Sequence, residues 1–301
     1  MVDFFRSMMM TPGSNARLVA KAAAARSDCC TLDLEDGVHP DSKDVARKTV
    51  ADAMAELPWG PRKRGARINH SSTPDFEHDI RAVAPSRPTY LVLAKVDDAD
   101  EVERAAAILD SIPGADDVRL WTMIETAKGL QNIDRIAAAP RMQAFIFGAA
   151  DFAADIRTKR NSLSQVSPLV DQPRQVELTY ARGRIVASAR AHGLRAIDPG
   201  CLDVHDAEAT YQAALYAAQF GFDGTSVYSP RQPEHVHRAF RPEPEDLAWA
   251  SDIVRAFDAA AAEGHTVVVV GGEMVDGPLV RTAQRLLGLD HELQAWDNRF
   301  R

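Results

Sequence analysis

Short apolar runs alternate with amphipathic helical stretches along most of this 301-residue chain, and this alternation limits the possible folds more than any other feature. The helical stretches are Asn15–Arg26, Asp41–Glu56, Asp98–Ile112, Arg174–His192 and Asp206–Phe220. The apolar runs, which we predict to be strands, are Ser7–Met10, Cys29–Leu34, Ala66–Asn69, Tyr90–Lys95, Leu120–Glu125, Ala144–Gly148, Arg195–Asp198 and Gly224–Tyr228. Strands that alternate with helices in this way pair in parallel through crossover helices.

Eight parallel strands are the number that closes a (β/α)8 TIM barrel. A doubly wound open sheet is the competing fold, and a glycine-rich phosphate loop after the first strand would favour it. The segment that follows the first strand, Pro12-Gly13-Ser14, is too short for the G-x-G-x-x-G pattern. The sequence therefore predicts an α/β protein built on a TIM barrel.

The pattern changes after Tyr228, where a C-terminal extension follows the last barrel strand. The elements predicted in it are a linker at Arg238–Pro244, a helix at Pro244–Glu263, a strand at Thr266–Val270 and a helix at Pro278–Leu287 that Gly288 ends. We expect residues 1–237 to form the barrel domain. Residues 238–301 would form a helix–strand–helix extension that packs on the barrel or on a neighbouring subunit.

Composition excludes several classes of partner. The net charge is −8 and no long basic run occurs, which argues against nucleic acid or an anionic membrane surface as the main partner. No window approaches the roughly 20 apolar residues that span a bilayer, and the first ten residues do not resemble a signal peptide. Three cysteines, Cys29, Cys30 and Cys201, do not make a disulfide framework, so we expect a reducing, cytoplasmic setting.

Charged side chains stand at the carboxyl ends of six of the eight predicted strands. In a TIM barrel the chemistry takes place at that end of the strands. A single charge there is often only a solvated rim residue, but six together indicate a functional site. The residues are Asp33, Glu35 and Asp36 after the second strand, then Arg67, Lys95, Glu125, Asp151 and Asp198.

Glu125 and Asp151 follow neighbouring strands, and their carboxylates would repel each other unless a cation lay between them. A few hard oxygen ligands suit Mg²⁺, which keeps several waters and accepts substrate oxygens. Zinc is not expected because no close Cys/His pair lies near these positions, and we interpret His235 and His237 as polar helix residues. Arg67 can hold a carboxylate or carbonyl oxygen bidentately. A metal ion and an arginine that face one oxygen can stabilise an enolate, as aldol and Claisen cleavage require.

Lys95 opens a second mechanism, because a lysine at the end of a barrel strand can form a Schiff base with a carbonyl substrate. Acidic neighbours would keep its amine protonated and poorly nucleophilic. We therefore favour an ion pair between Lys95 and Glu35, Asp36 or Glu125.

Several segments occur in an order and spacing that are specific as a set. They are Thr11-Pro12-Gly13-Ser14, Leu32–Val38 with Pro40, Lys43 and Ala46-Arg47, Ala66–Asn69, Ala94-Lys95-Val96, Ile124–Gly129, Phe147–Phe152, Gly221–Gly224 and Met274–Pro278. In these segments nearly the whole chain resembles the citrate lyase β-subunit-like group of the HpcH/HpaI aldolase superfamily. That group includes malyl-CoA and citramalyl-CoA lyases.

The resemblance implies a TIM barrel that binds Mg²⁺ through Glu125 and Asp151, with Arg67 on the oxo or carboxylate group of the substrate. It implies that Asp276 reaches from the tail of one subunit into a neighbour's site for proton transfer to or from an acyl-CoA enolate. Homotrimers or hexamers are then expected. The other catalytic residues would be Glu35, Asp36 and Lys95, and the substrate-binding residues Pro12, Gly13, Ser14, Gly148, Ala149 and Ala150.

The sequence departs from the group's pattern at Asn15, where arginine is frequent, and at Thr225 and Ser229, where lysine and histidine are common. These changes put the usual distal contacts of the ligand in doubt. The leading hypothesis is a Mg²⁺-dependent lyase that cleaves a 3-hydroxyacyl-CoA, such as malyl-CoA or citramalyl-CoA, into an acyl-CoA and an oxo acid. The alternatives are an aldolase on free hydroxy-oxo acids without CoA, or a catalytically weak paralogue that serves as a binding protein.

Overall fold

The computed structural model describes residues 4–159 and 175–300. They divide into two compact units, one of residues 5–238 and one of Phe4 with residues 239–300. Arg174, where the predicted helix Arg174–His192 begins, lies outside the described residues.

The larger unit is built around eight parallel strands that close into a barrel, in which each strand pairs with the next and β1 pairs with β8. The strands are β1 (Ser7–Pro12), β2 (Cys29–Asp33), β3 (Lys63–Ile68), β4 (Tyr90–Leu93), β5 (Arg119–Ile124), β6 (Met142–Phe147), β7 (Arg195–Asp198) and β8 (Gly224–Val227). The predicted (β/α)8 barrel is therefore confirmed, and the predicted strand positions agree to within three residues.

Helices follow the strands around the barrel. They are α1 (Ala16–Ala24), α2 (Lys43–Glu56), α3 (Asp75–Val83), α4 (Ala99–Asp110), α5 (Ala127–Gln131), α6 (Ile133–Ala137), α7 (Ala149–Asp155), α8 (Thr179–Ala191), α9 (Ala207–Phe220) and α10 (Pro233–Ala239). Short 3-10 turns lie at Pro40–Ser42, Ala84–Ser86 and Val176–Leu178. Five of these helices were not predicted. Four of them have seven residues or fewer, which is too short for helical periodicity to stand out.

Large apolar side chains fill the barrel interior. Alternate residues of β5, Trp121 and Met123, belong to this interior cluster, as the two-residue period of a strand requires. The Trp121 ring stacks on Tyr90 of β4, with ring centroids 3.6 Å apart. Both aromatic residues are fully buried, so the barrel is a packed core that supports the residues at its mouth.

The smaller unit consists of α11 (Pro244–Ala262), a hairpin of β9 (Val268–Val270) and β10 (Glu273–Val275), and α12 (Gly277–Asp297), which ends in a 3-10 turn at Asn298–Phe300. A linker is present as expected, with narrower bounds, and two other expectations were wrong here. The linker at Arg238–Pro244 is shorter, because α10 runs to Ala239 and α11 starts at Pro244. The single strand is a hairpin. Gly288 does not end the last helix, because α12 continues and buries Leu293 and Trp296 beyond it.

Among residues 4–159 and 175–300, no helix combines the length and the apolar character that crossing a membrane requires. The three cysteines are buried and carry free thiols, as their odd number indicated.

Candidate active site

A cavity of about 430 Å³ opens at the carboxyl ends of the barrel strands. Its lining includes four of the charged residues that the sequence places at strand ends: Asp33, Asp36, Arg67 and Asp151. The barrel therefore brings these side chains together from segments that are far apart in the sequence.

Arg67 and Asp33 form a bidentate ion pair across neighbouring strands. The Arg67 Nε and Nη2 donate to the two carboxylate oxygens of Asp33 over 2.7 and 2.6 Å. Burial alone would lower the pKa of Arg67, but the hydrogen bonds and the charge of Asp33 outweigh it and raise the pKa above its usual value. The sequence placed Asp33 at a strand end but gave it no role in binding or catalysis. Its pairing follows from the register of the sheet, where Asp33 lies opposite Arg67.

Lys95 connects two further carboxylates at the mouth. Its Nζ lies 2.5 Å from Glu35 Oε1 and 2.8 Å from Asp36 Oδ2, while Arg67 Nη1 lies 3.1 Å from Glu35 Oε2. Partial burial would lower the pKa of the Lys95 amine, but these two carboxylates raise it above its ordinary value. A protonated amine cannot attack a carbonyl group, so the geometry disfavours the Schiff base and supports the ion-pair interpretation.

The backbone of Lys95 acts on Glu125. Lys95 has a left-handed conformation, with φ of 53°, which is unusual for a residue with a side chain. In this conformation its N–H donates to Glu125 Oε1 over 2.6 Å. Strained backbone of this kind concentrates at functional sites, where the surrounding structure holds it in place.

Glu125 lies at the end of β5 with only 1% of its surface exposed. Its Oε2 is buried and has no hydrogen-bond donor in the described part of the chain. Burial, and then the charge of Asp151, raise the pKa of Glu125 to about 7. The Lys95 N–H and the charge of Arg67 favour the ionised form of Glu125, but they do not outweigh its burial and the charge of Asp151.

Asp151 lies in the first turn of α7, directly after β6, and is exposed. The residue between β6 and this helix is Gly148. A Cβ on Gly148 would lie 2.3 Å from Glu125 Oε2, so glycine leaves the space that the glutamate carboxylate occupies. Ala149 is buried and Ala150 exposed, and both line the cavity with Gly148. The first backbone N–H groups of a helix have no intrahelical acceptor and can bind an anion.

This donor set fits Mg²⁺. The described residues include no group of three His, Cys, Asp or Glu side chains arranged to hold a metal. Mg²⁺ does not need such a cage, because one or two carboxylates suffice when water and substrate oxygens complete the shell. Glu125 and Asp151 carry the hard carboxylate oxygens that Mg²⁺ prefers, and the buried Oε2 of Glu125 is an acceptor that no described donor satisfies.

A polar network behind the mouth holds the end of β2, and the sequence did not reveal it. Lys43 Nζ donates to the carbonyl oxygens of Leu34 and Glu35 over 2.6 and 2.7 Å, and to Asn69 Oδ1 over 2.7 Å. The amide of Asn69 also donates to Leu34 O, and Asp79 accepts from both its backbone and side-chain nitrogens. The loop that carries Glu35 and Asp36 is thereby fixed to α2 and β3.

The three residues of the Pro12-Gly13-Ser14 segment differ in their position relative to the cavity. Pro12 is part of the lining. The Gly13 N–H donates to Asp33 O over 2.8 Å, so Gly13 ties this segment to the end of β2. Ser14 is exposed, outside the described lining.

Strands β7 and β8 form the opposite side of the mouth. Asp198 at the end of β7 is neutralised by Arg182 of α8, whose Nε donates to Asp198 Oδ1 over 2.8 Å, and both side chains are fully buried. Ser226 and Tyr228 line the cavity from β8 and just beyond it, while Thr225 is buried. His235 and His237 lie on α10, in agreement with their interpretation as helix residues.

Asp276 belongs to the smaller unit. It is the N-cap of α12, and its Oδ1 accepts a long hydrogen bond of 3.5 Å from the Leu279 N–H. Aspartate is a preferred N-cap residue, so this position has a structural reason as well as the catalytic role that the sequence resemblance implies.

The chain matches one known protein family and is similar to several of its characterised relatives. The family described as HpcH/HpaI aldolase/citrate lyase matches residues 6–230. The chain is similar to a citrate lyase subunit beta of Leuconostoc mesenteroides subsp. cremoris, with 31% identity covering 94% of this chain and 92% of that protein. It is also 30% identical to a (3S)-malyl-CoA thioesterase of Cereibacter sphaeroides, covering 97% and 96% of the two chains.

A solved structure of the protein CitE from Mycobacterium tuberculosis, in complex with magnesium, acetoacetate and coenzyme A, is similar in fold. The TM-score is 0.79 at 31% identity, and the match covers 96% of this chain and 98% of that one. From the family match and these similarities, we conclude that the chain belongs to the HpcH/HpaI aldolase/citrate lyase family.

Proposed function

We propose that this lyase of the aldolase superfamily cleaves a 3-hydroxyacyl-CoA, such as malyl-CoA or citramalyl-CoA, into an acyl-CoA and an oxo acid. The observation that carries the proposal is the buried Oε2 of Glu125, which has no described donor and lies near Asp151, a residue that lines the cavity together with Arg67. The related CitE structure, which contains magnesium, acetoacetate and coenzyme A, supports the same class of ligands.

Glu125 and Asp151 would hold Mg²⁺ in this proposal. When bound, Mg²⁺ supplies positive charge beside the oxygens of the substrate and favours the electron-rich transition state. The Lys95 N–H fixes one oxygen of Glu125, and Gly148 leaves space for the other. The protein thus holds Glu125 in one orientation before any ligand arrives.

Arg67 would bind the carboxylate or the developing oxo group of the substrate. Its Nε and Nη2 are held by Asp33 and its Nη1 lies 3.1 Å from Glu35 Oε2, so the guanidinium cannot turn, and the N–H groups that do not face these carboxylates are left for the substrate. Lys95 forms ion pairs with Glu35 and Asp36 at the rim of the cavity, and these pairs hold the loop after β2 in place. The site is therefore organised before the substrate binds, as stabilisation of a transition state requires.

Cleavage breaks the bond between the hydroxyl-bearing carbon and the carbon next to the thioester. The hydroxyl group gives its proton to water in the cavity as the oxo group forms, and the bonding electron pair moves onto the acyl-CoA fragment as an enolate. The α carbon of that enolate then takes up a proton. We assign this last transfer to Asp276 of a neighbouring subunit, which acts as the acid.

The hairpin that precedes Asp276 supports contact with a neighbour. Val269 and Met274 lie opposite each other on β9 and β10, and each is 68% exposed. Exposed apolar side chains of this size, together with Val267, are typical of a surface that another chain covers. A homotrimer or hexamer would supply that chain.

The test is a cleavage assay on purified protein with a panel of 3-hydroxyacyl-CoA thioesters, with Mg²⁺ and with EDTA. Mass spectrometry would detect both the acyl-CoA and the oxo acid. We expect both products in equal amounts with Mg²⁺ and none with EDTA. Failure to release an oxo acid from any thioester would refute the proposal, and release of free CoA alone would indicate a thioesterase.

A second candidate is an aldolase that acts on free hydroxy-oxo acids. Thr225 and Ser229, which stand where lysine and histidine are common in the resembling group, favour it because they remove contacts for a large anionic ligand. Calorimetry with CoA separates the two functions. Micromolar binding of CoA would exclude this candidate, and its absence together with cleavage of free acids would establish it. A catalytically weak binding paralogue would cleave neither the CoA thioesters nor the free hydroxy-oxo acids.

A further inference from the structure

The charge around the cavity is divided between two sides. Among the described residues that line it, the acidic and basic side chains come from β2, β3 and the segments that follow β2 and β6. Strands β7, β8 and β1, with the residues just after them, contribute uncharged groups, which include Met8, Met10, Pro199, Gly200, Ser226 and Tyr228. Asp198 does not alter this division, because buried Arg182 neutralises it.

The inner end of the cavity is apolar and adjoins Arg67. Met8, Met123 and Ile146 line the cavity and belong to the interior core cluster, against which Met10 packs. The Sδ of Met123 lies 3.7 Å from Arg67 Nη1. When Arg67 holds the carboxylate or oxo group of a substrate, the substituent on the adjacent hydroxyl-bearing carbon therefore faces methionine side chains.

These residues decide what that substituent can be. Methionine is flexible and polarisable, and it adapts to hydrocarbon groups of different shape. A second carboxylate at this position would lose its water without gaining a cation of its own, since the first carboxylate or oxo group occupies Arg67 and the surrounding Met8, Met10, Met123 and Ile146 side chains are uncharged. A buried carboxylate without a partner is strongly disfavoured.

We propose that the hydroxyl-bearing carbon of the substrate carries a hydrocarbon substituent, so that the released product is a monocarboxylic 2-oxo acid with an alkyl side chain. Met10 and Met123 are the residues that select it. This inference rests on the proposed function, and it distinguishes alkyl 2-oxo acids from oxaloacetate, whose substituent ends in a carboxylate.

The experiment measures the reverse condensation, with acetyl-CoA, propionyl-CoA and a panel of glyoxylate, pyruvate, 2-oxobutyrate and oxaloacetate, by mass spectrometry of the thioester product. We expect kcat/KM for 2-oxobutyrate and pyruvate to exceed that for oxaloacetate about a hundredfold or more. The added methylene groups should also favour 2-oxobutyrate over glyoxylate by about tenfold.

Equal or better use of oxaloacetate, or a preference for glyoxylate over every alkyl acid, would overturn the inference while the proposed function stands. No condensation with any of the acids, together with no cleavage in the forward assay, would overturn the proposed function itself.

Variants at Met10 test the residue assignment. Met10→Lys places a cation at the inner end, and we expect it to reduce the discrimination against oxaloacetate by about tenfold or more. Met10→Leu is the matched control that stays apolar, and it should keep the wild-type order of the oxo acids. An unchanged order in Met10→Lys would show that Met10 does not select the substituent. If that variant fails to fold, the wild-type panel still decides the substrate class.

Discussion

Glu125 depends on three of its neighbours. Gly148 leaves the space for its carboxylate, the Lys95 N–H fixes Oε1, and Asp151 adds the negative charge that contributes to its raised pKa. None of these contacts neutralises Glu125. The arrangement therefore leaves a buried carboxylate that a cation would stabilise.

The clearest prediction at this scale is that Gly148→Ala weakens the metal site. The new Cβ would lie 2.3 Å from Glu125 Oε2 and 2.5 Å from Glu125 Cβ, so the glutamate must move. We expect the affinity for Mg²⁺, measured by calorimetry, to fall about 10- to 100-fold.

The control is Gly183→Ala on the exposed side of α8, where an added Cβ meets nothing within 4 Å. That change should leave Mg²⁺ affinity intact and stabilise the helix by about 0.5–1 kcal/mol. Unchanged affinity in Gly148→Ala would show that Glu125 is not a ligand in this orientation.

At the scale of elements, the second βα loop is positioned by helix α2. Lys43 is the first residue of that helix, and its ammonium group donates to the carbonyl oxygens of Leu34 and Glu35, which directly follow β2. The same group reaches Asn69 at the end of β3. One lysine thus fixes two neighbouring strand ends, which carry Glu35 and Arg67.

We predict that Lys43→Met destabilises the protein by about 2 kcal/mol, because Asn69 Oδ1 loses its donor and Leu34 O and Glu35 O each lose one of two donors in the described structure. It should also lower kcat more than it raises KM, since the loop that carries Glu35 loses its fixed position. Chemical unfolding and steady-state kinetics measure the two effects. Lys48→Met on the same helix is the control, because the Lys48 side chain is 78% exposed and contacts only Asp52 in the described structure. Equal behaviour of the two variants would contradict the assigned role.

The barrel could be predicted from the sequence because its strands are short apolar runs at regular intervals. Arg195–Asp198 agrees with the prediction at both ends. Gly288 shows the limit of local signals. Glycine costs about 1 kcal/mol within a helix, and the packing of Leu293 and Trp296 against the unit outweighs this cost. Tertiary contacts of this kind are not visible in a local pattern.

The site could be predicted where a single residue marks a strand end, as Arg67, Glu125 and Asp151 do. Asp33 was predicted at a strand end without a role, and Lys43 was not predicted in the site, because their importance depends on a partner in another segment. The pairing of Asp33 with Arg67 requires the strand register, and the role of Lys43 requires the path of the loop after β2. The sequence contains neither as a local signal.

At the scale of the whole molecule, the barrel unit contains the proposed metal site and the smaller unit contains Asp276. If Asp276 serves a neighbour's barrel, two inactive variants should complement each other. We predict that Asp276→Asn and Glu125→Gln, each inactive alone, regain about a quarter of wild-type turnover when equal amounts are mixed and exchange subunits.

Co-purification of differently tagged copies would show that exchange has occurred. The restored sites would combine the intact barrel of one variant with the intact tail of the other. Persistent inactivity after demonstrated exchange would exclude donation of Asp276 between subunits.

The central claim is that Glu125 and Asp151 hold the Mg²⁺ on which carbon–carbon cleavage depends. It is tested most directly by the rate of oxo acid release at increasing Mg²⁺ concentration, for wild type and Glu125→Gln side by side. Glutamine keeps the size of the side chain and removes the ligand charge. We predict saturable Mg²⁺ dependence in the wild type and no turnover over the same range in the variant. Equal turnover in the two proteins would contradict the metal assignment.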